Sequence, residues 1–313
     1  MSYLIGDVGG TNCRLARWED GRLLNIEVWS TETVHTLTDV VALYMDKHPF
    51  TPEASCVAVA GPIQDGITRL TNTNWSGAAA DLPGPGRLIN DLHAAARGIG
   101  RLTHDDVAWI GPPPERIDPD ANIAVMGVGT GIGMALRIGG HVVPTEGGHA
   151  DFAPANPRQD ELLQWLRTQH VRVTLENVAA GPGMRRLLDF VAQDIPLDTY
   201  TLKQLETEPA AKVVFACADQ DPACAETMDL FLSIVGSEVG NLALRCLPDG
   251  GVFLAGGVLP RIVDTITDGR FRAAFENKAP MAALLKDMPL GLVTYPYLGL
   301  LGAVVEAERL LNV

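Results

Sequence analysis

The stretch YLIGDVGGTNCRLAR, residues 3–17, decides how the rest of the chain is interpreted. Two apolar runs flank a polar segment that contains an acid, two glycines and a threonine: Asp7, Gly9, Gly10 and Thr11. This pattern predicts a strand, a tight turn and a second strand. Because glycine tolerates positive φ and leaves backbone N–H groups uncovered, such a turn can lie against a polyanion. The stretch is therefore either a phosphate-binding hairpin, with Asp7 facing the accompanying metal, or an ordinary β-hairpin turn.

The same design occurs a second time, about 120 residues later in the chain. In the first copy an Asp20-Gly21 turn leads to a third strand at 23–29. The second copy covers residues 122–148. It consists of an apolar strand, a glycine-rich turn with Thr130, an alternating strand, a Gly139-Gly140 turn and a third strand. This similarity indicates an internal duplication of a three-stranded meander. Two such hairpins that face each other can hold a phosphate chain from both sides.

The segments after the first meander alternate between helix and strand, which predicts α/β architecture. Helical spacing covers 36–47, and a continuous apolar run at 54–63 is typical of a buried parallel strand. A further strand at 87–91 ends on Asn90 and Asp91 and leads into an alanine-rich helix. Asp91 is then the N-cap or lies in the first turn, where the helix dipole favours its ionised form. It is either a plain capping aspartate or a residue with a chemical role.

The second half of the chain continues the same alternation. Four prolines make 111–120 a surface loop or a domain boundary. Helices are predicted at 159–170, 184–194 and 227–247, with a strand at 250–262 that ends in Gly256-Gly257, a strand at 290–295 and an amphipathic helix at 298–313.

Composition limits the classes of partner. The 38 acidic and 24 basic residues give a net charge of −14, which argues against nucleic acid or an anionic membrane as partner. Five scattered cysteines predict reduced, packed thiols. No N-terminal signal and no membrane-spanning run is visible, so the expected location is the cytoplasm.

Two nucleotide-binding motifs can be tested directly. A Walker-type loop is excluded because the chain contains no Gly-Lys pair. The run GVGTGIG, residues 127–133, fails the dinucleotide fingerprint, because the third glycine would have to fall at Ile132 or Met134. An NAD-dependent oxidoreductase is therefore disfavoured.

The duplicated unit resembles the actin and hexokinase superfamily of ATP-dependent enzymes. Nine blocks in order resemble the bacterial glucokinase family: GDVGGTNCR (6–14), LTNTNW (70–75), IND (89–91), GVGTGIGMA (127–135), EGGHADFAP (146–154), ENVAAGPGM (176–184), LAGGVLPRI (254–262), FRAAFENK (271–278) and LGLLGA (298–303). The resemblance implies an α/β, two-domain, ribonuclease H-like fold with an interdomain cleft. The small domain would comprise residues 1–105, completed by the helix at 298–313, and the large domain 106–297. It also implies that the chain can form a homodimer.

By this resemblance the chain phosphorylates the 6-hydroxyl of glucose with ATP, and Asp91 accepts the proton of that hydroxyl. The sugar would be bound by Asn90, Asp91, Glu146, His149 and Glu176. ATP would be bound by the first hairpin (Gly6, Asp7, Val8, Gly9, Gly10, Thr11 and Asn12), by Gly129 and Thr130 in the second, and by Gly256 and Gly257 beside the adenosine. Mg²⁺ would be held through the phosphates and water, near Asp7, and no structural zinc is expected.

Two alternatives stay open. The chain could phosphorylate another hexose, such as fructose, mannose or an amino sugar. It could instead be a catalytically silent sugar-binding regulator, although the intact Asp91, both glycine hairpins and the absence of an appended DNA-binding helix pair argue against this. The residues do not decide between ATP and other phosphoryl donors.

Overall fold

The first part of the chain forms a mixed sheet around the opening hairpin. A computed structural model describes residues 1–70 and 75–311. Up to residue 98 the elements are β1 (Ser2–Val8), β2 (Asn12–Glu19), β3 (Arg22–Ser30), α1 (Leu37–Lys47), β4 (Ala54–Val59), β5 (Ile63–Gln64), β6 (Ile67–Arg69), β7 (Ser76–Ala78), β8 (Gly86–Asn90) and α2 (Asp91–Gly98). β1 to β3 form an antiparallel meander that β4 and β8 extend in parallel, in the order β3-β2-β1-β4-β8. Part of the predicted 70–75 motif, residues 71–74, lies outside the described residues.

The second part repeats this arrangement. Its elements are β9 (Val107–Trp109), β10 (Ile123–Val128), β11 (Ile132–Ile138), β12 (His141–Thr145), α3 (Pro157–Arg167), α4 (Leu175–Ala179), α5 (Gly181–Val191), α6 (Thr199–Gln204), α7 (Ala210–Cys217), α8 (Pro222–Cys246), β13 (Val252–Ala255), α9 (Val263–Ile266), α10 (Arg270–Glu276), α11 (Ala282–Lys286), β14 (Leu290–Val293) and α12 (Leu298–Leu311). The sheet order is β12-β11-β10-β13-β14-β9, with β13 and β14 parallel to β10.

The predicted duplication is confirmed at the level of topology. In both sheets an antiparallel meander is followed by two parallel strands. The second sheet has an additional antiparallel edge strand, β9, which the sequence pattern did not predict because it is only three residues long.

Three predicted helices begin earlier than expected, and proline explains the difference. α3, α5 and α8 begin at Pro157, Gly181 and Pro222 rather than at 159, 184 and 227, with a proline in the first turn of each. Proline is well accommodated there because the first N–H groups of a helix have no intrahelical partner. The Asp221 carboxylate caps α8 by accepting from the backbone of Ala223 at 2.8 Å.

The C-terminal helix returns to the first sheet. Leu300 and Val304 of α12 belong to the same apolar core as Tyr3 and Ile5 of β1. α12 also packs closely on α2, since a Cβ on Gly302 would lie 1.9 Å from the carbonyl oxygen of Ala94. The division of the chain near residue 105 remains a prediction, and residues 312–313 of the predicted helix are outside the described residues.

Two further expectations concern the state of the cysteines and the presence of a membrane-spanning helix. All five cysteines are free, and each of them except Cys246 is buried, as the scattered pattern predicted. Within residues 1–70 and 75–311, no helix is both long enough and apolar enough to cross a membrane.

Candidate active site

The corner between β8 and α2 holds the side chains of Asn90 and Asp91. Asn90 is the N-cap of α2, and its Oδ1 accepts from the backbone N–H of Leu92 at 2.9 Å and of His93 at 3.3 Å. Asp91 is the first helical residue, and its Oδ1 also lies 2.9 Å from the Leu92 nitrogen. The cap therefore fixes both predicted site residues through the local backbone.

Asp91 is a carboxyl group that titrates near neutrality. Burial raises its pKa to about 6, the Leu92 N–H acts in the opposite direction, and the negative charge of Asp7 raises it further. The helix start does favour the ionised form, through the Leu92 N–H, but desolvation outweighs it, so the pKa is raised overall. A carboxylate with such a pKa can accept a proton near neutral pH.

The first hairpin presents an exposed turn beside a partly covered acid. Gly9 N–H donates to the carbonyl of Asn12 at 2.9 Å, and Gly10 and Thr11 are exposed. Asp7 lies opposite Arg14 in the β1–β2 pairing, with Oδ2 3.6 Å from Arg14 Nη1. Burial raises the pKa of Asp7, whereas the Arg14 charge acts to lower it. Gly6 and Val8 are buried within β1, whereas Asp7 between them is partly exposed beside the turn.

The second hairpin is held in place by the segment that contains Glu176. Glu176 lies in the first turn of α4, and its Oε2 accepts from the backbone N–H of Ile132 at 3.0 Å. The N–H of Gly181, at the start of α5, donates to the carbonyl of Gly129 at 2.8 Å. Thr130, at the tip of the turn, is exposed. Glu176 is thus bonded to the hairpin that the resemblance assigns to ATP.

The segment from Glu146 to His149 packs against the same hairpin. It forms a single 3-10 turn, and a Cβ on Gly148 would lie 2.0 Å from the carbonyl oxygen of Ile132. Only glycine permits this close approach. Glu146 and His149 are exposed, and among residues 1–70 and 75–311 neither side chain has a hydrogen-bond partner. Both are therefore free to bind a polar ligand.

Gly256 and Gly257 complete the surroundings of the second hairpin. Both are exposed and directly follow β13. Gly256 has φ +96°, and a Cβ there would lie 2.4 Å from the carbonyl oxygen of Val128. Positive φ and close backbone approach both require glycine at this position.

Leu92 connects the Asp91 corner to the second meander. A Cβ on Gly127 of β10 would lie 3.2 Å from the Leu92 side chain, and one on Gly133 of β11 would lie 2.8 Å from it. Asp91 therefore stands where α2 meets the second meander, and it also senses the charge of Asp7 in the first. This arrangement brings a proton acceptor together with two exposed glycine turns, which suits a phosphoryl transfer.

Two groups near this corner were not predicted from the sequence. Gly299, in the first turn of α12, lies against the carboxylate of Asp7. Glu306 of the same helix is buried against side chains of α2. Two sequence signals could have pointed to these groups: the glycine-containing LGLLGA block for Gly299, and His93 and Arg97, four residues apart, for a helix face that meets Glu306.

Within the described ranges, no group of three His, Cys, Asp or Glu side chains is arranged to hold a metal ion.

Comparisons with known proteins agree in family and fold. A family model described as Glucokinase matches residues 4–310. The glucokinase of Caulobacter sp. (strain K31) is 35% identical, over 96% of this chain and 94% of that protein. A crystal structure of glucokinase from an Antarctic psychrotroph superposes with a TM-score of 0.85 at 29% identity, covering 98% of this chain and 99% of that one. The fold is also shared with a ROK family glucokinase from Streptomyces griseus in complex with glucose and AMPPNP, with a TM-score of 0.70 at 18% identity and coverage of 99% and 100%.

Proposed function

Because the chain belongs to the glucokinase family, we propose that it transfers the γ-phosphoryl group of ATP to the 6-hydroxyl of glucose, with Asp91 as general base. The observation that carries this proposal is Asp91 itself, a half-buried carboxyl group with a pKa of about 6 at the helix start beside both hairpins. ATP as donor agrees with the AMPPNP complex of the Streptomyces griseus relative.

Asp91 acts on the attacking hydroxyl. It accepts the proton of the 6-hydroxyl while that oxygen forms a bond to the γ-phosphorus and the bond to the β-γ bridging oxygen breaks, which releases ADP. In a loose transition state the orientation of the hydroxyl matters more than the strength of the base. The Asn90 cap supplies that orientation, because it fixes the backbone on which Asp91 stands.

The remaining hydroxyls of glucose are bound by Asn90, Glu146, His149 and Glu176. Carboxylates, an amide and an imidazole can accept from and donate to sugar hydroxyls in a directional way. Glu146 and His149 support this role because they are exposed. Glu176 uses Oε2 for Ile132, so its other carboxylate oxygen can accept from the sugar.

The two turns bind the phosphates of ATP from opposite sides. The N–H groups of Gly9 and Gly129 donate within their own turns, to Asn12 and Gly131. The N–H groups of Gly10 and Thr11 therefore serve the first side and that of Thr130 the second, with Gly256 and Gly257 beside the adenosine. Mg²⁺ supplies charge neutralisation of the phosphates when it is bound, and the carboxylate of Asp7 is the kind of hard oxygen group that suits its hydrated ion.

Closure of two domains completes the site. We assign the small domain to residues 1–105 with the C-terminal helix, and the large domain to 106–297. Movement of the two onto the sugar would exclude water, which otherwise competes as phosphoryl acceptor. A cytoplasmic location agrees with glucose and ATP as substrates and with the free thiols of the cysteines.

A panel of hexoses with ATP and Mg²⁺ tests this function. We expect glucose to give the highest kcat/KM for ADP release, and glucose-dependent ADP release to disappear in Asp91→Ala while glucose still quenches or enhances tryptophan fluorescence. Asp39→Ala, in the first turn of α1, is the matched control and should remain active. Sugar binding without turnover in the unmodified protein would instead indicate a regulator, and a higher kcat/KM for fructose, mannose or an amino sugar would indicate another hexose kinase.

A further inference from the structure

One buried carboxylate lies among the basic side chains near the Asp91 corner. Glu306 lies in the middle of α12 and is 1% exposed. Its partners come from β8, α2 and its own helix: Arg97 Nε at 2.6 Å, Arg87 Nη1 at 2.8 Å, His93 Nε2 at 3.2 Å and Arg309 Nη1 at 3.6 Å.

These partners keep Glu306 ionised. Burial alone would raise its pKa, but His93, Arg97 and Arg87 outweigh burial and lower the pKa to about 2. A buried carboxylate of this kind is stable only while its partners stay in place, because loss of one partner leaves an uncompensated charge. Glu306 therefore fixes the positions of the elements that carry those partners.

The partners bracket the proposed catalytic corner in sequence and in space. Arg87 lies on β8, three residues before Asn90, and His93 lies two residues after Asp91. The backbone N–H of His93 also donates to the Asn90 side chain at 3.3 Å. One residue thus connects the cap that holds Asp91 to the buried carboxylate on α12.

The cluster also reaches the second meander. Arg97 donates from Nη1 to the carbonyl of Gly140 at 2.6 Å, in the turn between β11 and β12, while its Nε binds Glu306. One guanidinium therefore joins α2 both to α12 and to the second meander. Asp91 lies at the start of α2, so its direction depends on how this helix is held between them.

We propose that Glu306 is a positioning residue for phosphoryl transfer, which holds α2 in the orientation that directs Asp91 and Asn90 at the sugar. It acts through His93 and Arg97 and touches neither substrate. This inference rests on the proposed function of Asp91.

The test compares Glu306→Gln with Glu308→Gln. Glu308 lies on the same helix and pairs with Arg101, just beyond the end of α2, so it provides a more exposed ion pair away from Asp91. At saturating substrates we expect kcat of Glu306→Gln to fall by roughly tenfold to 100-fold, with KM for ATP within about twofold of wild type. We also expect the acid limb of its pH–kcat profile to move, because the surroundings of Asp91 change. Glu308→Gln should match wild type in all three measurements.

A purely structural role predicts a different result. A lowered unfolding temperature with unchanged kcat and an unmoved acid limb would overturn the proposal. If Glu306→Gln does not fold, Arg97→Lys replaces it, since an ammonium cannot bind both Glu306 and Gly140 as the guanidinium does; Arg101→Lys is its control. Equal kcat values for these two lysine variants would also reject the inference. Failure of the proposed function itself is distinguishable, because wild type would then release no ADP with glucose.

Discussion

The carboxylate of Asp7 lies so close to Gly299 that a Cβ on this glycine would be 2.8 Å from Asp7 Cγ and 2.9 Å from Oδ2. Gly299 is in the first turn of α12, so the C-terminal helix limits the position of an acid in the first hairpin. Both atoms are too near for a methyl group to be accommodated without movement. Glycine at residue 299 therefore determines where the proposed neighbour of Mg²⁺ can lie.

Gly299→Ala should lower activity without unfolding the protein. The methyl group would displace the Asp7 carboxylate, and a shift of about 1 Å in such a site can reduce turnover roughly 100-fold. Alanine is favoured over glycine in a helix by about 1 kcal/mol, so a fall in activity cannot arise from lower helix propensity. We expect kcat to fall at least about tenfold while the unfolding temperature changes little.

A double variant separates displacement of Asp7 from other causes. In an Asp7→Ala background the carboxylate is gone, and Gly299→Ala should then have almost no further effect on residual kcat. If the losses in kcat of the two single variants add up in the double variant, the proposed contact is contradicted.

The pH dependence of kcat/KM should report Asp91. A general base must be ionised, and the pKa of Asp91 is raised to about 6, so activity should fall as pH decreases through 6 and be nearly level above 7. Because the charge of Asp7 raises the pKa of Asp91, Asp7→Asn should move the acid limb to lower pH. An activity that stays level down to pH 4.5 would rule out this assignment.

Asp91→Asn should stabilise the fold at neutral and alkaline pH. The pKa of Asp91 is raised from 3.8 to about 6, so the folded state binds its proton more tightly than the unfolded state. Stability is then lost as pH rises from about 4 to 6, and the loss persists above 6. The asparagine avoids that loss, which is at most about 3 kcal/mol. Urea unfolding at pH 8 should show the gain, and at pH 3.5 the gain should have mostly disappeared.

An exposed aspartate serves as control for this stability experiment. Asp219→Asn, in the exposed segment that follows α7, should change the free energy of unfolding by no more than about 0.5 kcal/mol at either pH. A loss of stability in Asp91→Asn at pH 8 would mean that the charge is better satisfied than its burial indicates.

Local patterns were sufficient to predict both hairpins and the position of Asp91. The glycine turns, the alternating strands and the capping Asn90 each involve residues within a few positions of one another. The pKa of Asp91 could not be predicted in this way, since it depends on how α2 is covered by other segments. The contact between Arg97 and Glu306 joins residues 209 positions apart, and no local spacing encodes such a pair.

The position of Glu176 shows a second limit. The preceding VRVTL run, residues 171–175, suggests alternation, but only an isolated bridge forms there, between Thr174 and Asp151. α4 is five residues long, which is too short for a helical period to be visible. The bond from Glu176 to Ile132 follows from tertiary packing, and the sequence could assign Glu176 only by resemblance.

Substitutions at Glu176 should separate its bond to the hairpin from its proposed role with the sugar. Glu176→Gln retains an oxygen that can accept from the Ile132 N–H, so its free energy of unfolding should stay within about 0.5 kcal/mol of wild type. Glu176→Ala leaves this N–H without its partner and should lose about 1–3 kcal/mol. If the carboxylate also binds glucose, KM for glucose should rise at least about tenfold in both variants, because both lack the charge. Glu115→Gln and Glu115→Ala, at an exposed glutamate, are the controls. A wild-type KM for glucose in Glu176→Gln would restrict Glu176 to a structural role.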